Sequence, residues 1–82
     1  MMRVFVTDHA RVQYARRFYE DFRRAGRNVD VRLVALVRDG VRVRPTHKSK
    51  GTLLRNGKFL FAVHIKQRGM VLATVMRAAN DD

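Results

Sequence analysis

The sequence predicts an α+β domain: one strand and two N-terminal helices packed on a C-terminal antiparallel sheet of about four strands. Residues 1–82 read as a single basic domain, with no repeat, linker or low-complexity stretch to divide them. Three observations carry this reading. Apolar residues recur at helical spacing in the first third of the chain. They alternate at strand spacing in the second half. An Asn56-Gly57 pair sits between two such alternating runs, where a hairpin turn is expected.

The elements follow in order. "RVFV" (3–6) reads as a short first strand. Thr7 or Asp8 can then cap a helix by accepting a bond from a free backbone N–H. The helix is expected over His9–Ala25, with Val12, Ala15, Tyr19 and Phe22 as its buried stripe and Phe18 widening it. Gly26 suits the position just past its end, and Arg23 and Arg24 suit its negative pole. "NVDVRLVALVRDG" alternates like a strand, yet Leu33, Leu36 and Val37 also make a helical face; a short helix is favoured. "VRVR" (41–44) is a strand, and "RPTHKSKG" reads as an exposed loop. "TLLRNGKFLFAVHI" supplies two strands around Asn56-Gly57, and "MVLATVM" the last one, reached through "QRG".

If "QRG" is a three-residue loop, Lys66 faces Met70, His64 faces Leu72 and Ala62 faces Thr74. His64 and Thr74 then share one sheet face. Phe59, Phe61, Val63, Ile65, Val71, Ala73 and Val75 share the bulkier face, which is expected to meet the helices.

Charge is the strongest compositional signal. There are 18 Lys and Arg residues against 7 Asp and Glu, for a formal net charge of +11. Between Gly40 and Asn80 no residue is acidic, while Arg42, Arg44, Lys48, Lys50, Arg55, Lys58, Lys66, Arg68 and Arg77 are basic. Such a bias disfavours folding through self-repulsion and is relieved by a polyanion or an acidic partner. The absence of cysteine excludes disulfides and thiolate metal sites. No apolar run approaches the roughly 18–20 residues of a membrane span, and the N-terminus lacks the apolar core of a signal peptide. A soluble, cytoplasmic protein without membrane association is expected.

Chemistry concentrates in three places. His9, Gln13, Arg16 and Arg17 fall at i, i+4, i+7 and i+8 of the first helix. In a first turn the positive end of the helix dipole disfavours protonation of a histidine, and a neutral imidazole there could act as a base, or it is simply an exposed residue beside surface arginines. His64 and Thr74 place two polar groups on an otherwise apolar strand pair. His47, Lys48 and Lys50 equip the loop for phosphate contact, unless it is merely solvated. Three histidines with sparse carboxylates and no HExxH spacing make no convincing metal site, and no Gly-rich phosphate loop follows a strand. No cofactor is expected.

"TDHARVQYARRF" and "ATVMR" resemble the "HAxxRxxxR" opening and the "TVxR"-like last strand of small domains related to the RelE–ParE and BrnT-type toxins. These belong to the barnase–EndoU–colicin–RelE group of metal-independent ribonuclease folds. The likeness runs from Val6 to Arg77 and implies a RelE-like fold. It matches His9 to the motif histidine, Arg17 to its second arginine, and Thr74 and Arg77 to the terminal motif. Gln13 departs from it: glutamine can hydrogen-bond a phosphate but cannot neutralise it.

The resemblance implies a toxin-like endoribonuclease in which His9, Arg17, Thr74 and Arg77 converge on one positively charged hollow. Gln13, Arg16, His47, Lys48, Lys50, His64, Lys66 and Arg68 would contact the nucleic acid, RNA foremost and DNA as the alternative. A nucleic-acid-binding protein without catalysis, or an inhibitor acting by protein contact and met by an acidic antitoxin or host protein, fits the same charge.

Overall fold

Thr7 is the hinge on which the N-terminal half turns from strand to helix. The structure is a computed structural model and describes residues 2–44 and 51–78. Strand β1 (Arg3–Val6) ends at Thr7, whose extended backbone and hydroxyl cap helix α1 (Asp8–Arg17) by accepting from the Ala10 N–H at 3.1 Å. The same hydroxyl donates toward the carbonyls of Leu72 and Ala73, at 2.9 and 3.2 Å, and so ties the cap to the last strand.

The expected first helix is two helices. Phe18 leaves the helical region (φ −134°, ψ 55°) and separates α1 from α2 (Tyr19–Ala25). The buried stripe also differs from the expected one. Ala10, Tyr14 and Phe18 are buried and Phe22 packs against them, whereas Val12 and Tyr19 are exposed. Both stripes satisfy a helical period. The one that wins brings Tyr14 and Phe18 onto Phe59 of the sheet, at 6.3 and 4.5 Å, with Phe22 edge-on to Tyr14 at 5.9 Å. Gly26 (φ +56°) ends α2 as expected, and a single 3₁₀ turn leads into α3 (Val29–Arg38). The segment that sequence left between helix and strand is thus helix, and it buries Leu33, Leu36 and Val37.

Strands β2 (Val41–Val43), β3 (Thr52–Asn56), β4 (Phe59–Lys66) and β5 (Gly69–Arg77) follow. The sheet differs from the expected antiparallel one of about four strands: among the described residues it has five, in the order β1-β5-β4-β3-β2, and β1 runs parallel to β5. β1 reaches this place because Gly69 leaves room for it. A Cβ at Gly69 would stand 2.3 Å from the Arg3 carbonyl oxygen.

The first hairpin turn is shifted by one residue from the expected one, and the second is one residue tighter. Asn56 pairs with Phe59, so Gly57 and Lys58 form the first turn, with Gly57 at φ +59°. Asn56 stays in the strand because its side-chain amide donates to the Leu36 carbonyl at 2.9 Å. Lys66 pairs with Gly69 rather than Met70, and His64 with Val71 rather than Leu72; Ala62 does pair with Thr74.

The registers are reconciled by a β-bulge at Ala73, which has no partner between the Val63–Leu72 and Ala62–Thr74 pairs. The bulge switches which face each half of β5 shows the helices. Leu72 and Val75 are both buried in the core, while Ile65, Val71 and Ala73 are not. Among the described residues no helix covers the opposite face, which carries Leu60, Ala62, His64 and Thr74.

Candidate nucleic-acid interface

The bulge decides where Arg77 goes. Two residues beyond Val75, it falls on the helical side of the sheet and reaches the break between α1 and α2. There its Nη2 donates to the Arg17 carbonyl at 2.6 Å, an oxygen at the C-terminal end of α1 that the break leaves accessible. Arg17 answers from the helix: its Nη1 donates to the Val75 carbonyl at 2.9 Å. Among the described residues each guanidinium is fixed by one hydrogen bond and keeps further donors for a ligand.

Lys58 completes the group. The Phe59–Arg77 pairing sets the hairpin turn beside the end of β5, and the Ala78 N–H donates to the Lys58 carbonyl at 2.9 Å. The Lys58 ammonium lies 5.7 Å from the Phe18 ring centre, and the Arg77 guanidinium 5.4 Å from the same centre. Cation–π attraction holds both charges at the rim of the aromatic core. The result is a cleft of about 480 Å³ lined by Arg16, Arg17, Phe18, Tyr19, Glu20, Asp21, Lys58, Arg77 and Ala78.

Its two carboxylates are engaged by cations outside the lining. Arg32 grips Asp21 through two bonds at 3.1 Å, and the Tyr14 hydroxyl donates to it as well. These bonds, Arg32's first, hold the Asp21 carboxyl below the usual carboxylate range. Burial, followed by the bond to Asp21, pushes the Tyr14 phenol up. Arg23 pairs with Glu20 at 3.0 Å. On the next helix contact, Arg11 grips Asp30 at 2.7 and 2.8 Å and lowers its carboxyl too. The helical layer thus answers its own acids, while the cleft gathers four cations, Arg16, Arg17, Lys58 and Arg77.

The structure divides the residues expected to share a hollow. Arg17 and Arg77 meet. His9 is exposed in the first turn of α1, eight residues from Arg17, or about 12 Å along the helix axis. Thr74, opposite Ala62, faces the helix-free side of the sheet. Arg16 lines the cleft, and Gln13 is half-buried on the row between His9 and Arg17. His64 is exposed on the helix-free face with Thr74, its ring so near Gly51 that a Cβ there would stand 3.3 Å from Nδ1. Lys66 and Arg68 stand at the other end of the β4–β5 hairpin, Lys66 about 26 Å from Lys58 at strand rise. His47, Lys48 and Lys50, with the loop reading of their segment, lie outside the described residues.

Sequence reasoning missed Lys58, Tyr19 and Glu20 as cleft residues. The signal for Lys58 was present: a cation in the hairpin turn next to Phe59, on the strand that must pair with the "ATVMR" strand. Among the described residues no three histidine or acidic side chains gather where they could hold a metal ion, and no helix is long and apolar enough to cross a membrane.

Compared with family models, with curated proteins and with solved structures, the chain matches none.

Proposed function

We propose that the chain is a small basic RNA-directed protein that holds a phosphate between Arg17 and Arg77. The observation that supports this is their anchoring to backbone. Both guanidiniums are held by carbonyls at the wall of one cleft, which Arg16 and Lys58 also line. Bringing like charges together is unfavourable unless an anion joins them. The backbone carbonyls hold the pair ready for one, and a phosphate accepts from two guanidiniums at once. The choice of RNA over DNA rests on the likeness of "TDHARVQYARRF" and "ATVMR" to the RelE–ParE and BrnT-type domains.

The test is binding of a labelled RNA oligonucleotide over a salt series. Affinity falls with salt as counterions are released, and the slope shrinks by about 0.7 for each cation removed from a single-strand site. The Arg16→Ala and Lys58→Ala variants suit this test because neither side chain holds the backbone clasp. A flat salt response, or variants that bind like the parent, would refute the proposal.

Metal-independent cleavage is the second reading, favoured by the presence of a carboxylate in the same cleft. Arg17 and Arg77 would stabilise the charge that builds on the phosphorus, and Glu20, which lines the same cleft, would be the proton acceptor. His9 and Thr74 would then act outside the reacting centre. RNA cleavage in EDTA that survives His9→Ala and stops with Glu20→Gln supports this reading; intact RNA with the parent protein removes it.

A further inference from the structure

Tyr19 is the ring that the helical period places in the core and the structure places outside. It is 59% exposed, while Phe18 beside it is 6% exposed. The break at Phe18 causes the exchange: it turns Phe18 onto Phe59 and swings Tyr19 onto the wall of the cationic cleft. An aromatic face left in water beside four cations matches one kind of ligand, a flat ring attached to a phosphate. The cleft's volume of about 480 Å³ falls within the roughly 300–1,000 Å³ of small-ligand sites.

We infer that the cleft takes one unpaired nucleotide, with its phosphate on Arg17 and Arg77 and its base stacked on Tyr19, so that the protein prefers single strands to duplexes. This rests on the phosphate-binding reading above and adds the base. In a duplex the base faces are stacked on one another and the phosphates lie on a convex surface. A ring on the wall of a concave cleft cannot reach them. In a single strand each base has a free face, and aromatic stacking accepts any of the four. Arg16, exposed and lining the same cleft, would take a neighbouring phosphate. The carboxylates of Glu20 and Asp21 are answered by Arg23 and Arg32 and do not cancel the attraction.

The experiment measures anisotropy with a short labelled single-stranded RNA and with the duplex of the same sequence. Parent, Tyr19→Ala, Tyr19→Phe and Arg16→Ala proteins are compared, each checked for folding by circular dichroism. Expected are tighter binding of the single strand, about tenfold weaker single-strand binding by Tyr19→Ala with duplex binding unchanged, and retention by Tyr19→Phe. Equal affinity for both forms, or a Tyr19→Ala protein that binds the single strand like the parent, overturns the stacking inference; a loss with Arg16→Ala in the same experiment leaves the phosphate reading standing. Failure to bind either form overturns both.

Discussion

Arg77 and Arg17 cross between the end of β5 and the end of α1: Arg77 donates to the Arg17 carbonyl at 2.6 Å, and Arg17 donates to the Val75 carbonyl at 2.9 Å. A β-strand end and a helix end are thereby joined by two charged donors. Arg77→Lys keeps the charge but loses the planar fork that spans the carbonyl and the cleft. It is expected to cost about 0.5–1.5 kcal/mol and to lower Tm by a few degrees in thermal denaturation. RNA affinity should fall less with Arg77→Lys than with Arg77→Ala, because the charge remains.

Asp21 and Asp30 bind arginines in similar ways but in different surroundings. The Asp21 side chain is 16% exposed and also accepts from Tyr14; that of Asp30 is 52% exposed. Asp21→Ala leaves the buried Tyr14 hydroxyl without its partner and should cost about 1–3 kcal/mol. Asp30→Ala should cost under about 1 kcal/mol, as exposed pairs do. Urea denaturation of both variants checks the order.

The same groups set the pH range of stability. The folded state holds the Asp21 and Asp30 carboxyls below their ordinary values, so they stabilise above the unfolded value of about 3.9 and lose that contribution as pH falls through the folded ones. Tyr14 is shifted upward, so its contribution is full below the unfolded value of about 10 and is lost as pH rises toward the folded one. Tm should be level between about pH 5 and pH 10 and fall on both sides. A Tyr14→Phe protein should lose the decline on the alkaline side.

Gly69 is where the parallel strand depends on the absence of a side chain. Gly69→Ala would place Cβ 2.3 Å from the Arg3 carbonyl oxygen at φ +155°. The neighbour is backbone and cannot yield, so the substitution should cost more than about 1–3 kcal/mol and release β1. Hydrogen exchange would show this as lost protection in Arg3–Val6, with β3 and β4 retained. Gly57→Ala, with open space around it, should cost less.

These residues also show what the sequence could reveal. α3 was legible because Leu33, Leu36 and Val37 form a face that only a helix buries together. The α1 cap and the α2 stop were legible because Thr7 and Gly26 act locally. The break at Phe18 was not: His9–Ala25 reads from local pattern as one continuous helix, and Arg77, sixty positions from Arg17, stabilises the interruption. The turn moved by one residue because Asn56 spends its amide on Leu36, a contact between distant segments. β1 joined the sheet through Gly69, which local pattern marks only as a turn. Of the candidate site, Arg17 and Arg77 were legible from the motif likeness. The bulge at Ala73, which sends Arg77 toward the helices and Thr74 away from them, was hidden from a register counted from loop length.

The proposed phosphate site is tested most directly by an NMR titration of the protein with a short single-stranded RNA, reading the side-chain Nε–Hε resonances of Arg17 and Arg77 with the backbone amides of His9, His64 and Thr74. Saturable shifts of the two guanidiniums, with Thr74 and His64 unmoved, are expected. Shifts gathered on the helix-free face around Thr74 and His64, with Arg17 and Arg77 silent, would contradict it.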